Sequence, residues 1–361
     1  MKKFFLAIAA VLACTVLGAQ SYNYTEASDL TLTGRLFTNT SNPYHRIDTV
    51  AYKGFNRTEN TLVRMSSGIA VAFRTDSPSI TVLTEYGDYS FSVYNGCRLA
   101  YMGYDLYIRE NGEWKWAAAA VARNEDDRDK PVTLISDLPA GSHDCLMYLP
   151  ICSEEYSVKV GVEDGYHLEA LPNPFRHRVG VFGSSFTHGI STSRAGMTWP
   201  AILARETGIQ MLSLGCNGNS KLQDAFANAF ADAEVDAFIF DAFSNPSIEQ
   251  IQERLFPFIE KLQAAHPGIP LIFLQTIYRE NRNFNTRQDK LEGDRIAFVA
   301  PLMKEACRKY KDVYFLTVTD AADEHFSTTV DGIHPGAYGY WVWAQSIKKP
   351  VLRILKKYGV R

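Results

Sequence analysis

The chain has 361 residues, 46% of them apolar and 21% charged, with a formal net charge of −3. That length suits about two domains, and the balance is that of an ordinary globular protein. The weak net charge and the lack of basic, acidic or low-complexity runs exclude a charge-driven nucleic-acid binder and a disordered chain.

In chain order, Lys2 and Lys3 lead into an apolar run from Phe4 to about Val16, followed by the small residues Gly18 and Ala19. A charged start, a short apolar stretch and a small-residue exit predict a secretory leader over residues 1–19, cut after Ala19. The run is shorter than the roughly 20 apolar residues of a membrane span. No second candidate follows, so no integral span is expected. Val11-Leu12-Ala13-Cys14 loosely resembles a bacterial lipobox, which leaves a lipid anchor on Cys14 as the alternative. The expected setting is therefore periplasmic or extracellular, or that of a membrane-anchored lipoprotein. Beyond Cys14 remain Cys97, Cys145, Cys152, Cys216 and Cys307. Cys145 and Cys152 are close enough to bridge after export, although buried apolar thiols are an equal expectation. No cysteine pair has zinc-ligand spacing beside a histidine, so no metal is expected.

Residues 20–172 carry a β pattern. Ile69 to Phe73 and Ile80 to Leu83 are short apolar runs split by the turn Thr75-Asp76-Ser77-Pro78. Tyr89 to Val93 alternates, and Asn95-Gly96 signals a turn. Asp105 to Ile108 and Trp114 to Trp116 flank Glu110-Asn111-Gly112-Glu113, a hairpin signature. Val132 to Ile135 and Leu146 to Leu149 read as further strands. Short strands at this spacing predict a β-sandwich or jelly roll.

The pattern changes at Pro172-Asn173-Pro174, which opens a second unit over residues 173–361. Five apolar runs (Val179 to Phe182, Met211 to Leu214, Ala237 to Phe240, Leu271 to Leu274, Val313 to Leu316) alternate with helical patterns. The helices are expected over Trp199 to Thr207, Leu222 to Ala231, Ile248 to His266, Gln288 to Tyr310 and Ala337 to Tyr358. Such alternation builds a five-stranded parallel α/β sheet with helices on both faces. Sites in these sheets lie beyond the carboxyl ends of the strands.

At the end of the first strand stands Gly183-Ser184-Ser185, where a glycine lets a serine rise above the sheet edge. Taken alone, that loop is more often a plain turn. Before the last helix stands Asp331-Gly332-Ile333-His334-Pro335. An Asp three residues before a His on a glycine turn can hold Nδ1–H and leave Nε2 free to act as base. Gly218, after the second strand, and Asn245, after the third, offer an N–H and an amide suited to an oxyanion, or else serve as turn and cap.

These four blocks, in this order, resemble the SGNH (GDSL-type) hydrolase family over about Arg178 to Leu355. The resemblance implies a flavodoxin-like fold, a serine esterase with Ser185 as nucleophile, His334 as base and Asp331 as its orienter, and no cofactor. It implies an oxyanion hole from the Ser185 and Gly218 N–H groups and the Asn245 amide. Ser184 stands where the family often has Asp, Phe243 replaces a usual Gly, and Pro246 stands where Asp is common. Around Phe73 to Pro78 and Gly103-Tyr104-Asp105-Leu106-Tyr107, the first unit is similar to the β-sandwich that precedes the hydrolase unit in some secreted bacterial members. Those members suggest deacylation, foremost deacetylation, of a glycan. A lipase or thioesterase on the same fold, and a catalytically silent glycan binder, are the competing readings. Substrate contacts are sought at Phe186, His188, Phe243, Tyr278 and Arg279, with Arg282 beside them, while Trp199 is expected in the core. A loop of the first unit could reach over the site, and the sequence does not single one out.

Overall fold

Alternation in the first unit produces ten strands among the described residues, which are 21–90, 94–317 and 327–361 of the computed structural model. The expected leader and Cys14 lie outside them. The strands are β1 (Tyr22–Glu26), β2 (Thr31–Thr33), β3 (Ala70–Thr75), β4 (Ile80–Ser90), β5 (Tyr104–Glu110), β6 (Glu113–Ala120), β7 (Val132–Ile135), β8 (His143–Tyr148), β9 (Ser153–Glu163) and β10 (Leu168–Ala170). Two short helices, α1 (Arg57–Val63) and α2 (Arg98–Met102), interrupt them. One sheet has the order β1-β9-β4-β7 and the other β10-β3-β8-β5-β6, with β2 on β3. Their inner faces meet through Val71, Phe73, Ile80, Met147, Val158 and Val160, the two-layer core of a sandwich. The expected hairpin is β5–β6. Asn111 (φ 53°) and Gly112 (φ 85°) both take left-handed backbone, as a two-residue loop matched to strand twist requires.

The second unit has strands β11 (Arg176–Gly183), β12 (Ile209–Gly215), β13 (Ala237–Asp241), β14 (Leu271–Leu274) and β15 (Val313–Leu316). All pair in parallel in the order β12-β11-β13-β14-β15, the flavodoxin-like arrangement expected. Its helices are α3 (Ser185–His188), α4 (Trp199–Thr207), α5 (Asp224–Ala231), α6 (Ile248–Ala265), α7 (Thr286–Lys309) and α8 (Ala337–Lys357). On one face, Val179, Val181 and Ile239 pack with Trp199 of α4 and Trp343 of α8. On the other, Phe182, Leu212 and Phe238 pack with Phe226 of α5, Phe258 of α6 and Met303 of α7. Trp199 is fully buried, in the core as expected. Leu222, at φ 56°, cannot open a right-handed helix, so α5 starts later than its apolar pattern suggests. No helix among the described residues is long and apolar enough to cross a membrane.

The two units share their cores. Ala70, Tyr148 and Ile151 belong to the first cluster of the α/β unit, and Leu36, Ile47 and Leu62 to the second. The edge strand β12 is covered by the first unit, which removes an open sheet edge. There Gly68, at φ +89°, lies so close that a Cβ would sit 2.5 Å from Ser213 Cβ. Arg46, fully buried, donates to the carbonyls of Met65 (2.7 Å) and Leu62 (2.5 Å) and across the seam to Gly215 (2.9 Å). Cys145 and Cys152 are both free and buried, in different clusters, so the bridge does not form.

Candidate active site

Strand β11 delivers Ser185 through a turn that tolerates little bulk. A Cβ on Gly183 would lie 2.0 Å from Thr187 Oγ1, and one on Gly215 would lie 2.0 Å from His188 N. Ser184 caps α3, its Oγ accepting from Phe186 N (3.2 Å) while donating to Asp241 Oδ2 (2.7 Å). The same Oδ2 accepts from Ser184 N (3.0 Å) and Thr187 Oγ1 (3.1 Å), and Oδ1 accepts from Ser244 Oγ (3.2 Å). Burial pushes the Asp241 carboxyl up, against the hydrogen bonds from Ser184, Thr187 and Ser244. Asp241 was not singled out in the sequence; its place at the carboxyl end of β13 is the signal that marks it.

The last block folds as anticipated. Val330 N donates to His334 O (2.9 Å) and Gly336 N to Thr328 O (2.8 Å), closing a tight loop ahead of α8. Gly332 takes φ +81° against Asn281, whose N donates to Gly332 O (2.8 Å). Glu280 accepts from the backbone N–H groups and hydroxyls of both Thr328 and Thr329. In this frame His334 Nδ1 lies 2.9 Å from Asp331 Oδ2, and Nε2 lies 3.0 Å from Ser185 Oγ. Asp331 Oδ1 accepts from Ile333 N (2.9 Å) and His334 N (2.8 Å). Burial pushes the Asp331 carboxyl up, but the hydrogen bonds from the His334 N–H, its imidazole and Ile333 outweigh it. They hold the group well below the usual carboxylate range.

The loop of the first unit that reaches the site is Tyr94-Asn95. Asn95 Nδ2 donates to Asp331 Oδ2 (2.7 Å), and Tyr94 OH lies 3.2 Å from the same oxygen. The sequence marks Asn95 only as a turn residue, so its proximity to Asp331 is invisible there.

Gly218 takes φ +69°, with open space where a Cβ would stand. Asn245 Oδ1 accepts from Ser220 N (3.2 Å), which ties the loops after β12 and β13 together and leaves the NH2 as the donor end of that amide.

The other expected substrate contacts are engaged by the protein's own residues. His188 is fully buried and its Nε2 donates to Ile151 O (2.5 Å) of the first unit; burial, with Arg46 nearby, pulls its pKa down to about 3. Phe186, 1% exposed, is set edge-on to the His334 ring at 5.7 Å and braces it. Phe243 packs behind the sheet against Phe273 and Phe315. Arg279 donates to Glu292 Oε1 (2.8 Å) and Ser244 O (3.1 Å), so it holds the Asn245 loop. Tyr278 OH donates to Asn283 (2.6 Å) under the guanidinium of Arg282, which is itself paired with Asp289. Helical direction and local charge pairing, not closeness in sequence, decide these positions.

Residues 176–353 match the GDSL-like Lipase/Acylhydrolase family, and residues 22–168 match the family described as "N-terminus of Esterase_SGNH_hydro-type". Among curated proteins no match is found. A solved structure from Bacteroides ovatus ATCC 8483, assigned as a GDSL-like lipase, is 32% identical, with a TM-score of 0.88 over 93% of this chain and 98% of its own. The salicylyl-acyltransferase of a tetracycline biosynthetic pathway is 20% identical (TM-score 0.71) and covers 95% of this chain and all (100%) of its own. A family two carbohydrate esterase from Cellvibrio japonicus is 13% identical (TM-score 0.59), covering 94% and 99%. These last two share the fold. By its sequence match along nearly its whole length, the chain belongs to the GDSL-like lipase/acylhydrolase family, the serine hydrolases of SGNH type.

Proposed function

We infer that this enzyme hydrolyses small acyl esters, foremost acetyl esters of carbohydrates, with Ser185 as nucleophile, His334 as base and Asp331 as its orienter. The observation that carries the reading is the continuous chain Ser185 Oγ, His334 Nε2, His334 Nδ1, Asp331 Oδ2, with links of 3.0 and 2.9 Å. Asp331 stays anionic and holds the proton on Nδ1, so Nε2 presents its lone pair to Ser185. His334 takes the serine proton as Oγ attacks the ester carbonyl, then returns it to the leaving alcohol. Water repeats the cycle on the acyl-enzyme. The oxyanion is assigned to the N–H groups of Ser185 and Gly218 and the NH2 of Asn245.

The carbohydrate assignment is supported by exposed aromatic surface, of which Tyr94 reaches Asp331 itself. Tyr94 is 91% exposed, and Tyr338 and Trp341, on the first turns of α8, are 54% and 42% exposed and stacked on each other. Flat, exposed rings suit the apolar faces of sugars better than a long acyl chain, which needs an enclosed apolar slot. The sequence of residues 1–19, read as a secretory leader, supports a setting outside the cytoplasm, with a lipid anchor on Cys14 as the alternative.

Ser185→Ala is expected to abolish both hydrolysis of p-nitrophenyl acetate and labelling by a fluorophosphonate. Retained activity in that variant refutes the nucleophile. Acetate release from acetylated polysaccharides, set against p-nitrophenyl esters of rising chain length, decides between the carbohydrate esterase and a lipase.

A further inference from the structure

Asn95 belongs to the first unit, yet its side chain touches both members of the base–orienter pair of the second. Its Nδ2 is 2.7 Å from Asp331 Oδ2 and 3.1 Å from His334 Nδ1. Since His334 Nδ1–H is itself directed at Asp331 Oδ2, the amide N–H goes to the carboxylate and not to the ring. The residue is 8% exposed, and its Oδ1 is buried with no partner among the described residues. Turning the amide over would set that oxygen against the Asp331 carboxylate. The side chain is therefore held for its NH2 end, at the cost of an orphaned carbonyl.

The loop is clamped where it stands. A Cβ on Gly96 would lie 1.6 Å from Tyr101 OH, so the backbone rests directly on that ring. Cys97 Sγ lies 3.1 Å from Ser193 O, on the loop that follows Ser185. One end of the segment thus grips the nucleophile loop while Asn95 grips the orienter.

We propose that Asn95 is a positioning residue through which the β-sandwich unit completes the active site, fixing Asp331 in the rotamer that orients His334. This rests on the reading of Ser185, His334 and Asp331 as a triad. Two backbone N–H groups fix Oδ1, whereas Oδ2, the oxygen that serves the imidazole, depends on side-chain donors. Asn95 is the buried one of these, and a donor to a charged acceptor in a site with little water is among the stronger hydrogen bonds.

The test is kinetic, with p-nitrophenyl acetate and the full chain. Asn95→Ala is expected to lower kcat about 10- to 100-fold with KM within about twofold, and to slow fluorophosphonate labelling in parallel. Asn95→Asp, nearly the same shape, gives the signature that a merely structural role would not. Two adjacent carboxylates share one proton with a raised apparent pKa. The shared proton restores the donor, so activity relative to wild type is highest at the acid end and falls as pH rises. For Asn95→Ala that ratio stays flat. A wild-type kcat in Asn95→Ala, while Ser185→Ala is dead, overturns the proposal and leaves the triad standing. So does an Asn95→Asp ratio that is flat in pH, which decides the matter even where the alanine variant does not fold. Full activity in Ser185→Ala instead removes the triad, and the role of Asn95 with it.

Discussion

Asp105 is the most consequential buried charge at the seam, and replacing it with alanine tests how the two units are held together. It is fully buried in β5, within Gly103-Tyr104-Asp105-Leu106-Tyr107. Oδ1 accepts from Trp116 Nε1 (3.0 Å), and Oδ2 accepts from Arg194 Nη1 (3.0 Å) and Gly196 N (2.8 Å). Arg194 reaches Tyr107 OH as well (2.7 Å) and lies over the Trp116 ring. Burial pushes the Asp105 carboxyl up against the pull of Arg194. Removing the carboxylate leaves a guanidinium, an indole N–H and a backbone N–H without their acceptor. Breaking a buried pair from one side costs about 3–5 kcal/mol. Arg194 keeps 21% exposure and can recover some water, which places the loss near about 3 kcal/mol on that scale. At roughly 2–4 °C per kcal/mol for large domains, the melting temperature falls by at least about 5 °C. Because the loop held by Asp105 leads away from Ser185, kcat/KM on p-nitrophenyl acetate falls too. Arg194→Met in the alanine background should cost little more, since its partner is already gone. A melting temperature within about 1 °C of wild type, or full additivity of the two changes, refutes the clamp.

Two further predictions concern the other buried polar groups. Asp241→Ala strips the acceptor from Ser184 N, Ser184 Oγ and Thr187 Oγ1, so kcat is expected to fall at least about tenfold with a stability loss of roughly 2–4 kcal/mol; unchanged kcat in a folded variant counts against it. The pH dependence of stability follows from His188 and Glu155. His188, pulled from 6.5 down to about 3, gives stability that is present above pH 6.5 and is lost as pH falls towards 3. Glu155, fully buried and bonded to the Ser66 and Ser153 hydroxyls, is pushed from 4.5 up to about 8. Its contribution is whole below pH 4.5 and is lost as pH rises through 8, by up to a few kcal/mol. Urea midpoints from pH 4 to 9 should peak on the acid side of neutrality, and Glu155→Gln should flatten the alkaline limb. An alkaline limb identical in that variant refutes the assignment.

The parallel sheet was readable because its strands are short apolar runs between capped helices. β14 and β15 fall where those runs lie, and Ser247 caps α6 through Gln250. β9 was missed because Glu154, Glu155 and Lys159 mask its alternation; Glu155 is nonetheless buried, its carboxyl group bonded to the Ser66 and Ser153 hydroxyls. Ser185, Asp331 and His334 were legible through local motifs, each a few residues long. Asn95 was not, because it meets Asp331 from 236 residues away and carries only a turn signal of its own. His188 and Phe186 are the opposite case: they stand close to Ser185 in sequence, but the short helix buries both, His188 against the first unit and Phe186 against the His334 ring.

The braces around Ser185 say what the seam is for. Asp241 holds its loop from within the sheet, Asp105 from the β-sandwich, and Tyr340 OH from α8, donating to Ile190 O at 2.7 Å. On the other side, Glu280 and Asn95 fix the turn that carries Asp331 and His334. Buried charged and polar contacts of this kind are a weak source of net stability, since well-packed apolar residues do as well or better. What they supply is direction, and here they converge on two loops, residues 183–197 and 328–336. A hydrolase gains most from groups that need not reorganise as charge develops. The β-sandwich therefore contributes geometry to the reaction as well as covering the edge of β12, and activity should track its docking more closely than it tracks overall stability.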